Sequence, residues 1–416
     1  MKIETVLSLG RPAWPDEIDR LAHWPRRQPF APEAIEFVST LSSRLLRLPV
    51  AREYPDLAAL AHWFRRANVL AMAERADNAG GSAHVRPRGL VFVISPANVE
   101  LLFAYAWLLS LLAGNASVVR VSQKASPMRD ALLDVVREVA ARAELASALQ
   151  DTWLMTYDHD DAITGQISAV CDARLVWGGD ATVSRIRAIP IKPLAVEAGF
   201  ADRFSFAAFS AERMCGEEER ALREIARQFA NDTLWSSQQA CSSPRAVFWV
   251  GVPTRVDEAR LRFWRLYETA AAAFENEPAA VVSRVTDLFM LAGAGAIDHL
   301  ETSLVAFPAR AAGRASLTEV REIHSGHGMF VEYTVPALLD VVRFMDDKDQ
   351  TMVIHGFNDS ELQALLQALP NRAVDRIVLP GRAVDFSTVW DGSDVFDLLL
   401  RKVFVPLPRK NPIGPT

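Results

Sequence analysis

The stretch "LWSSQQACSSPRAVFWVG", Leu234 to Gly251, sets one cysteine between a pair of glutamines and a Ser-Ser-Pro turn, just ahead of an apolar run. Only three cysteines occur in 416 residues, at positions 171, 215 and 241. A cysteine can be a small buried filler, since it is among the most buried residue types. As a thiolate on a polar, partly exposed loop it is instead a nucleophile. Around Cys241, the polar residues Gln238, Gln239, Ser242 and Ser243 and the turn-forming Pro244 favour the presented loop. Cys171 and Cys215 lack that setting and read as structural. The acidic run after Cys215 would raise its pKa.

Other segments could bind or polarise a ligand. In "LVWGGDATVSRIRA", Gly178 and Gly179 end a strand just before a helix, where backbone N–H groups can face an anion. Glycine there can also be only turn chemistry. In "VISPANVE", Asn98 sits between a strand and an apolar helix. Its amide either caps that helix or donates to a developing oxyanion, and position alone favours the cap. "LAGAGAID" (291–298) has two spaced glycines but no clear strand before it, so it reads as a loop.

The elements that must hold these residues alternate. Apolar runs at 89–95, 116–122, 152–158 and 173–179 read as strands, with helices at 100–113 and 126–143 between them. "LAVEAG" and "RFSFAAFS" close this series near residue 210. A second series follows: helix 215–230, the Cys241 loop, "AVFWVG", helix 254–276, "GMFVEYTV", helix 335–345, "TMVIHGF", helix 358–369 and "DRIVLPG". Continuous apolar strands alternating with helices mean parallel sheets covered on both faces. The first ~85 residues keep helical spacing instead. The expected domains are 1–212 (helical N-terminus plus a dinucleotide-binding α/β domain), 213–400 (a catalytic α/β domain carrying the cysteine) and a 401–416 tail.

Composition narrows the class of function. The formal net charge of −6 argues against a nucleic-acid partner. Three scattered cysteines build neither a disulfide framework nor a zinc cage, and a reducing cytoplasm fits them. The N-terminus lacks a signal-peptide pattern. "LLFAYAWLLSLLA" (101–113) is too short to span a bilayer, where roughly 18 or more apolar residues are needed, and reads as a buried core helix.

Taken together, "SSQQACSSP" resembles the active-site segment of LuxC-type acyl-CoA reductases, a branch of the aldehyde dehydrogenase superfamily. "DKDQTMVIHG" (347–356) and "DRIVLPGRAVDFSTVWDG" (375–392) resemble further segments of the same family. The resemblance implies an aldehyde dehydrogenase-like α/β fold, two doubly wound α/β domains with a cleft between them. It also implies Cys241 as nucleophile and Asn98 as oxyanion donor, overturning the cap. Glu197 in "LAVEAGF" stands where hydrolytic relatives keep a water-activating glutamate, and His327 in "HSGHGMF" resembles a Ser-Gly-His segment of related dehydrogenases.

The implied cofactor set is Ser95, Pro96, Arg120, Ser122, Gln123, Lys124, Gly178 and Gly179. Gln123 replaces a ribose-binding glutamate. With Lys124 and Arg120 nearby it could admit a 2′-phosphate, so NADPH is expected over NADH. The implied reaction is reduction of an acyl-CoA or acyl-carrier-protein thioester to an aldehyde through an acyl-cysteine. An acyltransferase or thioesterase would keep the acyl-cysteine and omit hydride transfer, and a scaffold beside an acyl-supplying partner would use neither. The superfamily also implies a homo-oligomer. No metal is expected.

Overall fold

A computed structural model describes residues 3–7, 16–49, 54–78, 83–96, 99–370 and 372–405. The chain divides into two units: residues 1–201 together with 386–416, and residues 202–385.

The first unit holds strands β1 (Glu4–Leu7), β2 (Ala83–Pro87), β3 (Leu90–Ile94), β4 (Ala116–Arg120), β5 (Thr152–Thr156), β6 (Ala173–Trp177) and β7 (Val196–Phe200). Six of them form a sheet in the order β1-β5-β4-β3-β6-β7. Every pair from β5 to β7 is parallel, and β1 joins antiparallel at the edge. All residues of β3, β5 and β6 are buried, which is why these strands read as unbroken apolar runs. From β3 the chain winds outward through β4 to β5, then returns past β3 to β6. That reversal is where doubly wound sheets open a crevice at their carboxyl ends.

The apolar run after β3 forms the helix Leu102–Leu112, in which every residue is buried. Phe37, from the helix Pro32–Arg47, meets Trp107 edge-on at 6.4 Å between ring centroids. Trp107 Nε1 donates to Thr152 Oγ1 at 3.1 Å, so the indole is satisfied while its rings fill the core. Each buried leucine or phenylalanine here contributes about 1.5–3 kcal/mol. Among the described residues, no helix is long and apolar enough to cross a membrane.

The second unit holds β8 (Phe204–Ser210), β9 (Ala246–Val250), β10 (Ile297–Leu300), β11 (Ala309–Gly313), β12 (Met329–Val335), β13 (Asp349–His355) and β14 (Arg376–Val378). Their order is β10-β11-β12-β9-β8-β13-β14, parallel except for β10.

Several sequence expectations shift. β8 lies between β9 and β13, so the second unit starts at Asp202 and not at 213. "RFSFAAFS" reads as one more buried strand, and only its distant pairing partners decide which sheet it joins. The second unit ends at Asp385 and not at 400. Beyond it come the short pair β15 (Val389–Trp390) and β16 (Ser393–Asp394), then β17 (Leu400–Phe404). β17 pairs antiparallel with β2, and Asn115 Nδ2 donates to the Leu399 carbonyl at 2.9 Å. The start of the expected tail is therefore a strand, while 406–416 lie outside the described residues. The N-terminal region contains β1 and β2 besides its helices. "LAGAGAID" is divided between the end of the helix Pro278–Gly293 and β10. The expected helix 335–345 is a 3-10 helix, Leu338–Phe344.

Candidate active site

The helix Glu219–Leu234 delivers the chain to the cysteine loop. Ser237 and Gln238 then take φ of 50° and 61°, two consecutive left-handed residues without glycine. Such backbone costs on the order of 1–3 kcal/mol per residue and persists only where its surroundings hold it. The holding groups are explicit. Gln238 Nε2 donates to the carbonyls of Pro244 and Met329 at 2.7 and 2.8 Å. Its Oε1 accepts the N–H groups of Gly328 and Met329 at 2.9 and 3.0 Å. Ser243 Oγ donates to the Asp232 carbonyl at 2.7 Å. Gln238, Ser242 and Ser243 are buried while Cys241 is half-buried, so the polar residues around the cysteine build the loop and do not solvate it.

Two strands fix Cys241 itself. Ser205 Oγ, on β8, donates to the Cys241 carbonyl at 2.7 Å. Gln350 Nε2, on β13, donates to Cys241 Sγ at 3.4 Å. The cysteine thus sits at the amino-terminal edge of the parallel sheet.

The segment His324–Met329 packs on the same loop. His327 adopts φ 66° between Gly326 (105°) and Gly328 (75°). A Cβ on Gly326 would meet the Gln238 carbonyl oxygen at 2.8 Å, so glycine is required there. His327 Nδ1 lies 3.2 Å from Ser237 Oγ, and its Nε2 lies 3.1 Å from Gln239 Nε2. Burial, with the charges of Arg284 and Arg245, holds this imidazole below its ordinary pKa against the opposing pull of Asp287. His324 is fully buried and pushed down to about 3, chiefly by burial. Its Nδ1 accepts the Gly326 N–H, so its Nε2 carries the proton donated to the Met329 carbonyl. His324 is a structural pin, whereas His327 is part of the loop's immediate wall.

The second family-like segment docks behind the loop. Asp232 accepts the N–H groups of Gly381 and Ala383 at 2.6 and 2.9 Å. Burial pushes its carboxyl up to about 7.

In the first unit, a cavity opens at the carboxyl ends of β3 and β4. Its lining includes Ser95, Pro96, Ser122 and Lys124 from the expected cofactor set, joined by Glu100, Ser126 and Arg129. Arg129 Nη1 donates to the carbonyls of Ser122 and Lys124 at 2.9 and 2.8 Å, which shapes the loop after β4. Ser126 caps the helix Pro127–Ala140 and also donates to Glu100 Oε2. Hydroxyls, two cations and a carboxylate line it beside the apolar Phe103 and Val121.

The remaining expected cofactor residues lie elsewhere. Gln123 is exposed and does not line the cavity. Arg120 turns onto Tyr157, with its guanidinium 4.9 Å from the ring centroid and Nη2 donating to the Tyr157 carbonyl at 3.2 Å. Gly179 is the N-cap of the helix Asp180–Arg187, and a Cβ there would meet nothing within 4 Å; neither Gly178 nor Gly179 lines the cavity.

Glu197 is not poised as a base. It pairs in register with Arg174 across β6 and β7, accepts from Arg174 Nε at 2.5 Å, and lies 3.4 Å from Arg187 Nε. Asn98 lies outside the described residues. Cys171 is buried, its thiol pushed up to about 12 by burial, and Cys215 is raised by burial and then by Glu258. Of the aromatic residues near these motifs, Trp107 and Phe330 are core, while Trp235 is exposed just ahead of the cysteine loop.

Sequence reasoning missed Gln350, Ser205, Glu100 and Arg129. A signal existed for Gln350: it stands in the polar Asp349–Thr351 start of β13, just ahead of the apolar Met352–Ile354.

Residues 58–282 match the family described as acyl-CoA reductase (LuxC). No curated protein matches the chain. Solved structures share the fold. An NAD-dependent aldehyde dehydrogenase from Sinorhizobium meliloti aligns at TM-score 0.66 and 14% identity, over 95% of this chain and 89% of that one. A gamma-glutamyl-gamma-aminobutyraldehyde dehydrogenase from Burkholderia cenocepacia gives 0.68 and 14%, over 93% and 86%. A succinic semialdehyde dehydrogenase from Streptococcus pyogenes, solved with NADP+ as the cofactor, gives 0.66 and 12%, over 94% of each chain. The fold is that of the aldehyde dehydrogenases, and the chain belongs to the LuxC family of acyl-CoA reductases.

Proposed function

We propose that the protein reduces an acyl thioester, an acyl-CoA or acyl-carrier-protein conjugate, to an aldehyde through an acyl group held on Cys241. The observation that carries this reading is the Cys241 sulfur set against the Gln350 amide on a loop locked by Gln238 and Ser205. The sulfur attacks the thioester carbonyl, its bond to the acyl carbon forms, and the carbon–sulfur bond to the carrier breaks. Asn98 and the backbone N–H of Cys241 serve as oxyanion donors. A reduced nicotinamide cofactor, when bound, supplies the hydride that releases the aldehyde. Ser95, Ser122, Lys124, Ser126 and Arg129 hold its nucleotide, and Lys124 with Arg129 favours NADPH.

Glu197 has no role as a water-activating base in this reading, because two arginines already engage its carboxylate. That disfavours a thioesterase. His327 positions the loop through Ser237 and Gln239.

The test is intact-protein mass spectrometry after mixing with a panel of acyl-CoAs and no cofactor, beside Cys241→Ala. The expected result is an acyl-sized mass gain on the wild type alone, discharged by NADPH with release of aldehyde. An adduct that neither NADPH nor NADH discharges would replace the reductase reading with an acyltransferase.

A further inference from the structure

The contact between Gln350 and Cys241 is built, and its construction is visible in the strand register. β13 runs parallel to β8 with Asp349 opposite Phe204 and Thr351 opposite Ser205. Two steps along β13 match one step along β8, so Gln350 is the extra residue of a bulge. Bulges re-aim a side chain, and they concentrate beside active sites. Both flanks of the bulge are pinned. Asp349 receives Arg321 Nε and Nη2 at 2.9 and 2.7 Å, and Thr351 N–H donates to Ser205 Oγ at 3.1 Å. The same Ser205 hydroxyl holds the Cys241 carbonyl. Backbone and sulfur of the cysteine are therefore referenced to one irregularity in two adjacent strands. Gln350 is only 3% exposed, so its amide works in surroundings of low polarity, where a hydrogen bond to a charged sulfur is strengthened.

From this we infer that Gln350 is a catalytic residue whose side-chain N–H stabilises the Cys241 thiolate. The inference rests on the proposed acyl-cysteine reading and adds a reason why the acyl group awaits reduction. Before attack the thiol loses its proton to solvent. The sulfur–carbon bond then forms, the carrier thiolate departs and takes a proton from solvent, and Gln350 donates throughout without transferring its own. An amide also cannot take a proton from water, so Gln350 itself gives hydrolysis no base. The buried Arg245 also feels the Cys241 charge: burial lowers its pKa, against the opposing pull of Asp202, Cys241 and Asp287.

The experiment compares the full-length wild type with Gln350→Met and Gln350→Glu. The rate of Cys241 alkylation by iodoacetamide is followed by intact mass from pH 5 to pH 10. Gln350→Met should move the midpoint upward by about one pH unit, the size of one hydrogen bond to a charged group. The near-isosteric Gln350→Glu should move it further, because a carboxylate then faces the thiolate. In a second readout, acyl-Cys241 formed from palmitoyl-CoA without cofactor should hydrolyse about tenfold faster in Gln350→Glu, where a base now touches the sulfur. Midpoints in both variants within 0.2 units of wild type, given unchanged circular dichroism, would overturn the inference. If Gln350→Met does not fold, Gln350→Glu alone decides by the same criterion. A shifted midpoint in a protein that no acyl-CoA acylates would retain the thiolate contact and remove the acyl-CoA reading, so the two failures are told apart.

Discussion

Gln238 grips Met329 from both sides: its Nε2 donates to the Met329 carbonyl at 2.8 Å and its Oε1 accepts the Met329 N–H at 3.0 Å. One buried amide thereby ties the cysteine loop to the first residue of β12, with Gly328 and Pro244 completing its four hydrogen bonds. Gln238→Leu leaves two backbone N–H bonds and two carbonyl bonds unmade. It should lower stability by about 3 kcal/mol or more, since each buried unsatisfied group costs about 1–3 kcal/mol. Urea denaturation measures the loss. Iodoacetamide should also reach Cys241 faster, because the left-handed pair Ser237–Gln238 loses its anchor. An unchanged urea midpoint would mean that the loop is held elsewhere.

Asp232 links stability to pH. Burial raises its carboxyl from an ordinary value to about 7, against the backbone N–H groups that favour the charge. The folded state then holds a proton that the unfolded state has released between about pH 4 and pH 7. Its contribution to stability therefore falls as pH rises through that window and is flat above it, by up to about 4 kcal/mol. Asp232→Asn removes this dependence. It also turns an N–H₂ group toward the N–H of Gly381 or Ala383, at a cost of about 1–3 kcal/mol. From pH 4.5 to 8 the wild-type denaturant midpoint should fall while that of Asp232→Asn stays level, so the wild type's advantage at low pH shrinks and then reverses. Parallel curves would show that Asp232 is ionised throughout.

On the proposed reading, the cavity after β3 and β4 sets the choice of cofactor. Lys124 is exposed and lines the cavity, so Lys124→Ala should spare the fold. It should raise KM for NADPH about tenfold and leave NADH within about twofold, the value of one charge-assisted contact to a phosphate. Glu100 places a carboxylate in the same cavity, and Glu100→Gln should shift preference further toward NADPH. Steady-state kinetics with both cofactors measure the two ratios. Equal effects on NADPH and NADH would assign Lys124 to the pyrophosphate and not to a 2′-phosphate.

Glu197 tests the reductase against the thioesterase. Arg174 is 1% exposed and has Glu197 as its carboxylate partner. Glu197→Gln should therefore lower stability by about 3 kcal/mol, the cost of leaving a buried charge unpaired. The ratio of aldehyde to acid released from an acyl-CoA should stay within about twofold, because Arg174 and Arg187 already occupy the carboxylate. Gas chromatography of the products gives the ratio. A tenfold fall in residual acid release would restore Glu197 as a water-activating base.

The sequence by itself determined the alternating α/β pattern, the buried helix after β3 and the identity of the candidate nucleophile. These are local: burial on both faces writes continuous apolar runs, and a cysteine set among amides, hydroxyls and a proline stands out from core cysteines. Tertiary structure decided what depends on partners far apart in the chain. β8 joins the second sheet because β9 and β13 flank it, and β17 returns to β2 across more than 300 residues. The same holds in the site. The polarity of Gln238 suggested exposure, but its four backbone partners make it a buried strut. Glu197 looked like a base, but Arg174 on the neighbouring strand had already claimed its charge. Gln350 reaches Cys241, 109 residues away in sequence, only through the bulge in β13, and strand pairing rather than residue spacing sets that register.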